Sequence, residues 1–419
     1  MKKKYLLIII LCFVSENILS SNIFQTKIFD KNVRTLQVFP ENKPLDLPVI
    51  ELNSAQKIRI SFDEMSYYAK SFNYKIIHLN ADFSPSQLFE NEYIDGFYSG
   101  LINDYALSEN TLTLYTNYQF FLPNSDFSFK VSGNYAVLIY EDNDTDKLAA
   151  VACFSVVEST VKIDLKITAN TEIEFNGKYQ QAEITLDNSG FPIDNPFLEL
   201  KVNVYQNRRQ DNAAINVKPT YTALYKQTYT HNRALIFEGG NQYRLADFSS
   251  EYAFSGEIDK IRKNDEYYNV FLFPAATRTG MSSPIAGGDA NGRFLLNRQR
   301  YDDADINADY MWLHFILPAE TPFADGDIYI LGDLTNNIFD ENSKLEYDFE
   351  NKIYYKTLFL KQGGYSFMYA FLPKMSNKST MQKIEGSYWQ TENEYSVFVY
   401  HRAFSGRYDR LAGVFCGKY

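Results

Sequence analysis

Between residues 78 and 97 the chain reads HLNADFSPSQLFENEYIDGF. His78 stands four residues before Asp82, with Glu90, Glu92 and Asp95 beyond. These are the residue types of acid–base catalysis or metal ligation. Such chemistry needs partners at close spacing, as in HExxH. The four histidines, His78, His231, His314 and His401, never come that near one another. In YKIIHLNADF, Tyr74, Ile76 and His78 share one face while Lys75, Ile77 and Leu79 take the other. Both faces are largely apolar, which predicts a buried strand. His78 is therefore expected in a core with one nitrogen satisfied, and Glu90, Glu92 and Asp95 on a solvated surface.

A second acidic run, DDADINAD, places Asp303, Asp305, Asn307 and Asp309 at alternate positions. Calcium loops space oxygen ligands this way, with a glycine turn and a closing Glu. Here Ala308 fills the glycine slot and the strand-like YMWLHF follows without a Glu. A solvated acidic loop is the expectation. Ser282, in GMSSP, lacks the GxSxG elbow. GGDANG precedes a strand rather than a helix, so it is no phosphate loop. No catalytic, cofactor-binding or metal residue is assigned, and no enzyme is expected.

The elements that would position such residues are strands. VKIDLKIT sets Val161, Ile163, Leu165 and Ile167 against Lys162, Asp164 and Lys166. KIRISFDEM and LELKVNVY repeat the scheme, the period-two signature of strands with one buried face. Turn signals (PNSD, SGN, DNSG, GGN, GGDANG) recur between them at the rhythm of β-sandwiches. Phe and Tyr, at 33 each, suit pleated surfaces. Helix signals are confined to FDEMSYYAKSF and to PSQLFENEYIDGF, where Ser84 is a candidate N-cap.

An all-β chain of tandem immunoglobulin-like sandwiches is predicted. Its divisions are a signal peptide at 1–20, an N-terminal domain at 21–158, a middle domain at 159–318 and a C-terminal domain at 319–419. The leader is expected from Lys2–Lys4 followed by the apolar run Tyr5–Val14, too short to span a bilayer. Leu11 before Cys12 argues against lipidation. A net charge of −11 disfavours binding to nucleic-acid phosphates. Beyond the leader only Cys153 and Cys416 remain, read as buried free thiols, with one long-range disulfide as the alternative. The abundant tyrosines serve either as core packing or as interface and sugar platforms.

A series of phrases in fixed order adds a resemblance: NVRTLQVFP, HLNADFSPSQLFENEYIDGF, DYALSENTLTLYTNYQFFLPN, VSGNYAVLIYE, VYQNRRQDNAAINVKP, GGNQYRLADF, DADINADYMWLHFILP and LKQGGYSFMYAF. Together they resemble the plug protein family of the bacterial type IX secretion system, over roughly residues 33–419. Leu79 and Phe83 stand where members often carry Cys and Trp. The resemblance implies a non-catalytic periplasmic protein, without cofactor or metal. It would bind the large outer-membrane translocon barrel and close its periplasmic opening at rest. IYILGDLTNN followed by YYKTLFLKQGGYSFMYAF also resembles early-set sandwiches that include starch-binding modules. This implies the alternative of a periplasmic or surface carbohydrate-binding protein, for which Trp312 and Trp389 are the only tryptophans.

Overall fold

The computed structural model describes residues 24–142, 144–280 and 289–419. The leader, Cys12 and Ser282 lie outside them. The architecture is all-β, as the alternation and turn spacing predict: three sandwiches, each with its own apolar core.

In the first sandwich, strands Lys27–Ile28, Leu148–Val157, Gly133–Glu141, Phe72–Leu79 and Ser99–Ile102 lie side by side in that order. Val49–Glu51 joins the outer side of Leu148–Val157 in parallel. The facing sheet runs Val33–Pro40, Ile58–Glu64, Thr116–Leu122, Tyr105–Leu107. Because Ile58, Ile60 and Phe62 alternate, all three enter the space between the sheets. There the rings of Phe62, Phe72 and Tyr118 pack 4.9–5.2 Å apart.

The second sandwich departs from the expected division. One sheet is Lys162–Thr168, Tyr179–Asp187, Lys226–Thr228, Tyr221–Ala223, with Ile236–Glu238 on Tyr179–Asp187. The other is Ala214–Val217, Leu200–Gln206, Glu394–His401, Arg410–Lys418. Its last two strands come from the end of the chain: Val202 pairs with Val399 and Val204 with Val397. The third sandwich is therefore inserted into the second. Its sheets centre on Gly363–Pro373, flanked by Arg244–Asp247, Phe294–Leu296 and Gly326–Leu331, and on Tyr310–Pro318, flanked by Tyr268–Leu272 and Ile353–Lys361.

The cut expected at 318 thus fails on both sides. YMWLHFILP, expected to close the middle domain, pairs along its whole length with Ile353–Lys361. EYSVFVYH, expected in the last domain, belongs to the middle one. Alternation identifies a strand and its buried face; the partner is a non-local choice that alternation leaves open.

The chain enters and leaves the inserted sandwich at adjoining points. Tyr388 N–H donates to Gly240 O at 2.9 Å, Asn393 Nδ2 to Gly239 O at 2.7 Å, and Gln206 Nε2 to Glu238 O at 2.8 Å.

Of the helix expectations, FDEMSYYAKSF forms no helix, and the second yields only Glu90–Tyr93. Ser84 caps nothing. Its N–H and hydroxyl donate to Asp82 Oδ1 at 3.0 and 2.5 Å, while Glu92 accepts from Phe89 N–H at the true start.

Candidate functional site

Several of the polar side chains that the fold buries completely lie between the sandwiches. The seam of the first and third centres on Asp63, which extends from Ile58–Glu64 on the face opposite Phe62. Lys361 Nζ lies 2.6 Å from Asp63 Oδ2, with the two side chains 0% and 1% exposed. Asp63 also accepts from Tyr310 Oη at 2.7 Å and Asn117 Nδ2 at 2.7 Å. The Lys361 ammonium sits 4.2 Å from the centre of the Tyr115 ring and donates to Asp305 O at 2.5 Å. Pairing, hydrogen bonds and a cation–π contact are what a buried charge requires.

The acidic run expected to be solvated forms the rest of this seam. Asp305 pairs with Arg59 at 2.5 Å. Asp309, almost fully buried, accepts the N–H groups of Leu112 and Thr113 at 2.8 and 3.0 Å. Asp303 caps the turn Ala304–Asn307 through Asp305 N–H. Alternation here serves a docking loop, whose carboxylates grip the first sandwich. Among the described residues no group of three or more His, Cys, Asp or Glu is arranged to hold a metal ion.

The seam of the first and second sandwiches holds the opening stretch. Asp409, fully buried, meets Lys201 Nζ at 2.9 Å, Arg402 Nε at 2.7 Å and Ala81 N–H at 2.9 Å. Asn203 Nδ2 donates to Ala81 O at 3.0 Å, and Tyr400 Oη to Asn134 Oδ1 at 3.0 Å. Glu92, expected to be merely solvated, pairs with Arg407 of the second sandwich.

His78 is 1% exposed, ringed by Tyr93, Tyr135 and Tyr408, with Nε2 3.1 Å from Ser132 O. Burial pushes its ring down to about 4, so it is neutral at pH 7. Gly133 lies so close that a Cβ there would stand 2.3 Å from His78 Nε2. The other histidines are scattered: His231 pairs with Glu172, His401 with Glu199, and His314 stacks on Phe271.

All three sandwiches meet at one carbonyl. Leu45 O, from the first, accepts from Arg208 of the second at 2.6 Å and Arg293 of the third at 2.5 Å. Arg293 pairs with Glu394 at 3.0 Å, and Arg208 Nε lies 3.6 Å from the same carboxylate. Asp333 lies half-buried nearby, its carboxyl pushed up by desolvation against the pull of Arg208 and Arg293.

The two cysteines among the described residues are free: Cys153 is buried, while Cys416, expected buried, is exposed. The tyrosines divide between core and surface. Tyr115, Tyr135, Tyr310, Tyr395 and Tyr400 are fully buried, whereas Tyr68, Tyr105 and Tyr252 face outward. One segment, 97–107, exposes Phe97, Leu101 and Tyr105 where it runs along the edges of both sheets of the first sandwich. Trp312 packs on Phe359 at 4.6 Å, and Trp389 lies in the return crossing to the second sandwich.

Sequence reasoning missed Asp63, Lys361, Arg208, Arg293 and Asp409. For Asp63 the local signal was that of a wet face, shared with Arg59 and Ser61. For the arginines there was none, since their partners lie in other modules.

Residues 33–158 match the family described as type 9 secretion system plug protein, 1st domain. A crystal structure of a hypothetical protein from Parabacteroides merdae ATCC 43184 is similar with a TM-score of 0.92 and 40% identity, covering 94% of this chain and 99% of that one. Among curated proteins there is no match.

Proposed function

The first sandwich of this chain, residues 33–158, belongs to the type 9 secretion system plug family, and from that premise we propose that the protein is the non-catalytic plug of a type IX translocon. It binds the large outer-membrane barrel and closes its periplasmic mouth in the resting state. It is exported by its leader, works in the periplasm, and holds no cofactor, metal or small-molecule substrate. Its attachment to the envelope runs through the barrel; no described helix is long and apolar enough to cross a membrane.

The observation that carries the reading is the locking of three sandwiches by buried polar contacts across their joints: Lys361 with Asp63, Glu394 with Arg293, and Asp409 with Ala81 N–H. A body that occludes a pore must resist deformation at its joints. Breaking a pair buried at such a joint costs ~3–5 kcal/mol, so the modules move as one. Outward aromatics such as Phe97 and Tyr105 supply contact surface of the kind enriched at protein interfaces.

The test is isolation of a tagged copy from membranes. Recovery of a large β-barrel with it, together with entry of large antibiotics into a deletion strain, is expected. Unchanged permeability in that strain, or isolation of the tagged protein without any barrel, overturns the reading.

A further inference from the structure

Ser99–Ile102 and Tyr105–Leu107 are the end strands of the two sheets of the first sandwich, joined by a short link. Antiparallel strands turn alternate residues toward the neighbour and the others away from it. Ile76 N–H donates to Tyr98 O at 2.8 Å, which fixes the phase of the first ladder. Gly100 and Ile102 then face Tyr74 and Phe72, and Ser99 and Leu101 aim their N–H and C=O groups outward. In the second ladder Gln119 N–H donates to Asp104 O at 3.0 Å and Ser108 N–H to Tyr115 O at 2.9 Å. Tyr105 and Leu107 are thereby the outward residues. Among the described residues no strand lies beyond either edge. Outward backbone groups at this spacing are matched by another extended chain.

Folds guard such edges with charge. The edge strand Lys162–Thr168 carries Lys162 and Lys166, and Ile258–Lys263 carries Lys260 and Lys263. Ser99–Ile102 and Tyr105–Leu107 hold no charged residue, and Leu101 and Tyr105 are 51% and 49% exposed. The surroundings are of one sign. Between Lys75 and Lys130 the chain has no lysine or arginine. Asp95, Asp104 and Asp126 are exposed beside the edges, and among the described residues none has a salt-bridge partner. Asp126 is held there by its carbonyl, which accepts from Phe97 N–H at 3.2 Å. A second copy of this chain would bring the same carboxylates to the edge and be repelled; a segment with basic ends is attracted.

We propose that Ser99–Ile102, the longer of the two edges, seats an extended segment of a partner protein as an added strand. The middle of that segment is apolar or β-branched, and its ends carry Lys or Arg. Its backbone pairs with Ser99 and Leu101, and its cations face Asp95, Asp104 and Asp126. The assignment rests on the free edge and its charge, so its failure leaves the pore-closing reading standing.

The full chain titrated with the blocked peptide acetyl-Lys-Val-Thr-Val-Thr-Arg-amide is expected to show saturable heat and slowed amide exchange at Ser99 and Leu101. Added salt should weaken the binding, because exposed charges are screened. Leu101→Pro removes an outward N–H and no bond of the existing ladder. It should weaken binding about tenfold, ~1.4 kcal/mol, with an unchanged melting temperature. Leu101→Lys, which keeps the backbone and adds a guarding charge, should weaken it as much. The proposal is overturned by no binding up to about 1 mM, by equal binding to either Leu101 variant, or by equal binding of the peptide with Glu at both ends. Self-association of the free chain in sedimentation that Leu101→Lys abolishes also overturns it, and gives the edge to a second copy.

Discussion

Lys361 and Asp63 form a 2.6 Å ion pair, fully enclosed, across the joint of the first and third sandwiches. Removing either partner leaves the other charge buried alone. Asp63→Leu or Lys361→Met is expected to cost ~3–5 kcal/mol, whereas the two together should cost less than either alone. Urea denaturation of the four proteins checks this. Additive losses would mean that the two residues do not act as a pair.

His78 predicts an acid-side loss of stability. Its folded ring is pushed down to about 4, while the unfolded chain takes up that proton near its ordinary value of ~6.5. The unfolded state binds more protons throughout that interval, so stability falls as pH drops from about 6.5 to about 4, by ~3 kcal/mol in all at ~1.4 kcal/mol per unit. Below that range this group contributes no further slope. Denaturation at several pH values should give a His78→Asn protein a shallower acid decline than the parent. Parallel curves would refute it.

Gly133 has φ +143° and almost touches the His78 ring. Gly133→Ala is expected to lose ~2 kcal/mol or more, from strained backbone and a clash together. Adding His78→Ala makes room but leaves the backbone strained, so melting temperature should recover only in part. Full recovery would locate the whole cost in the clash.

The insertion predicts which pieces fold alone. All the strands of the third sandwich lie between Arg244 and Pro373, so residues 240–391 expressed alone should give cooperative melting and a β-type circular dichroism spectrum. A piece spanning 319–419 lacks Tyr310–Pro318 and Arg244–Asp247, and carries Glu394–His401 without its partner Leu200–Gln206. It should remain unfolded. A folded 319–419 fragment would contradict the observed pairing.

The strands were legible because period-two alternation is local. Ile58, Ile60 and Phe62 could be assigned a buried face from neighbouring residues alone. The same reading treated the opposite face as wet. In three sandwiches packed on one another that face is often a joint: Asp63 beside Phe62, and Asn203 and Tyr205 beside Val204, are buried by another module. The run from Asp303 to Asp309 misled for the same reason. Its spacing is compatible with an ion, with water or with a neighbour's N–H groups, and only the contact with Leu112 and Thr113 decides among them. Strand partners more than a hundred residues apart, such as Val202 and Val399, leave no trace in local pattern.

The paired crossings at Gly240 and Tyr388 have a mechanical consequence. A module hung on one linker can twist about it like a pendant. Here two covalent strands leave side by side and are stitched to each other and to Gln206. Torque on the inserted sandwich is thus resisted by a double root, and a push from outside reaches the rest of the body as translation before it can become swivel.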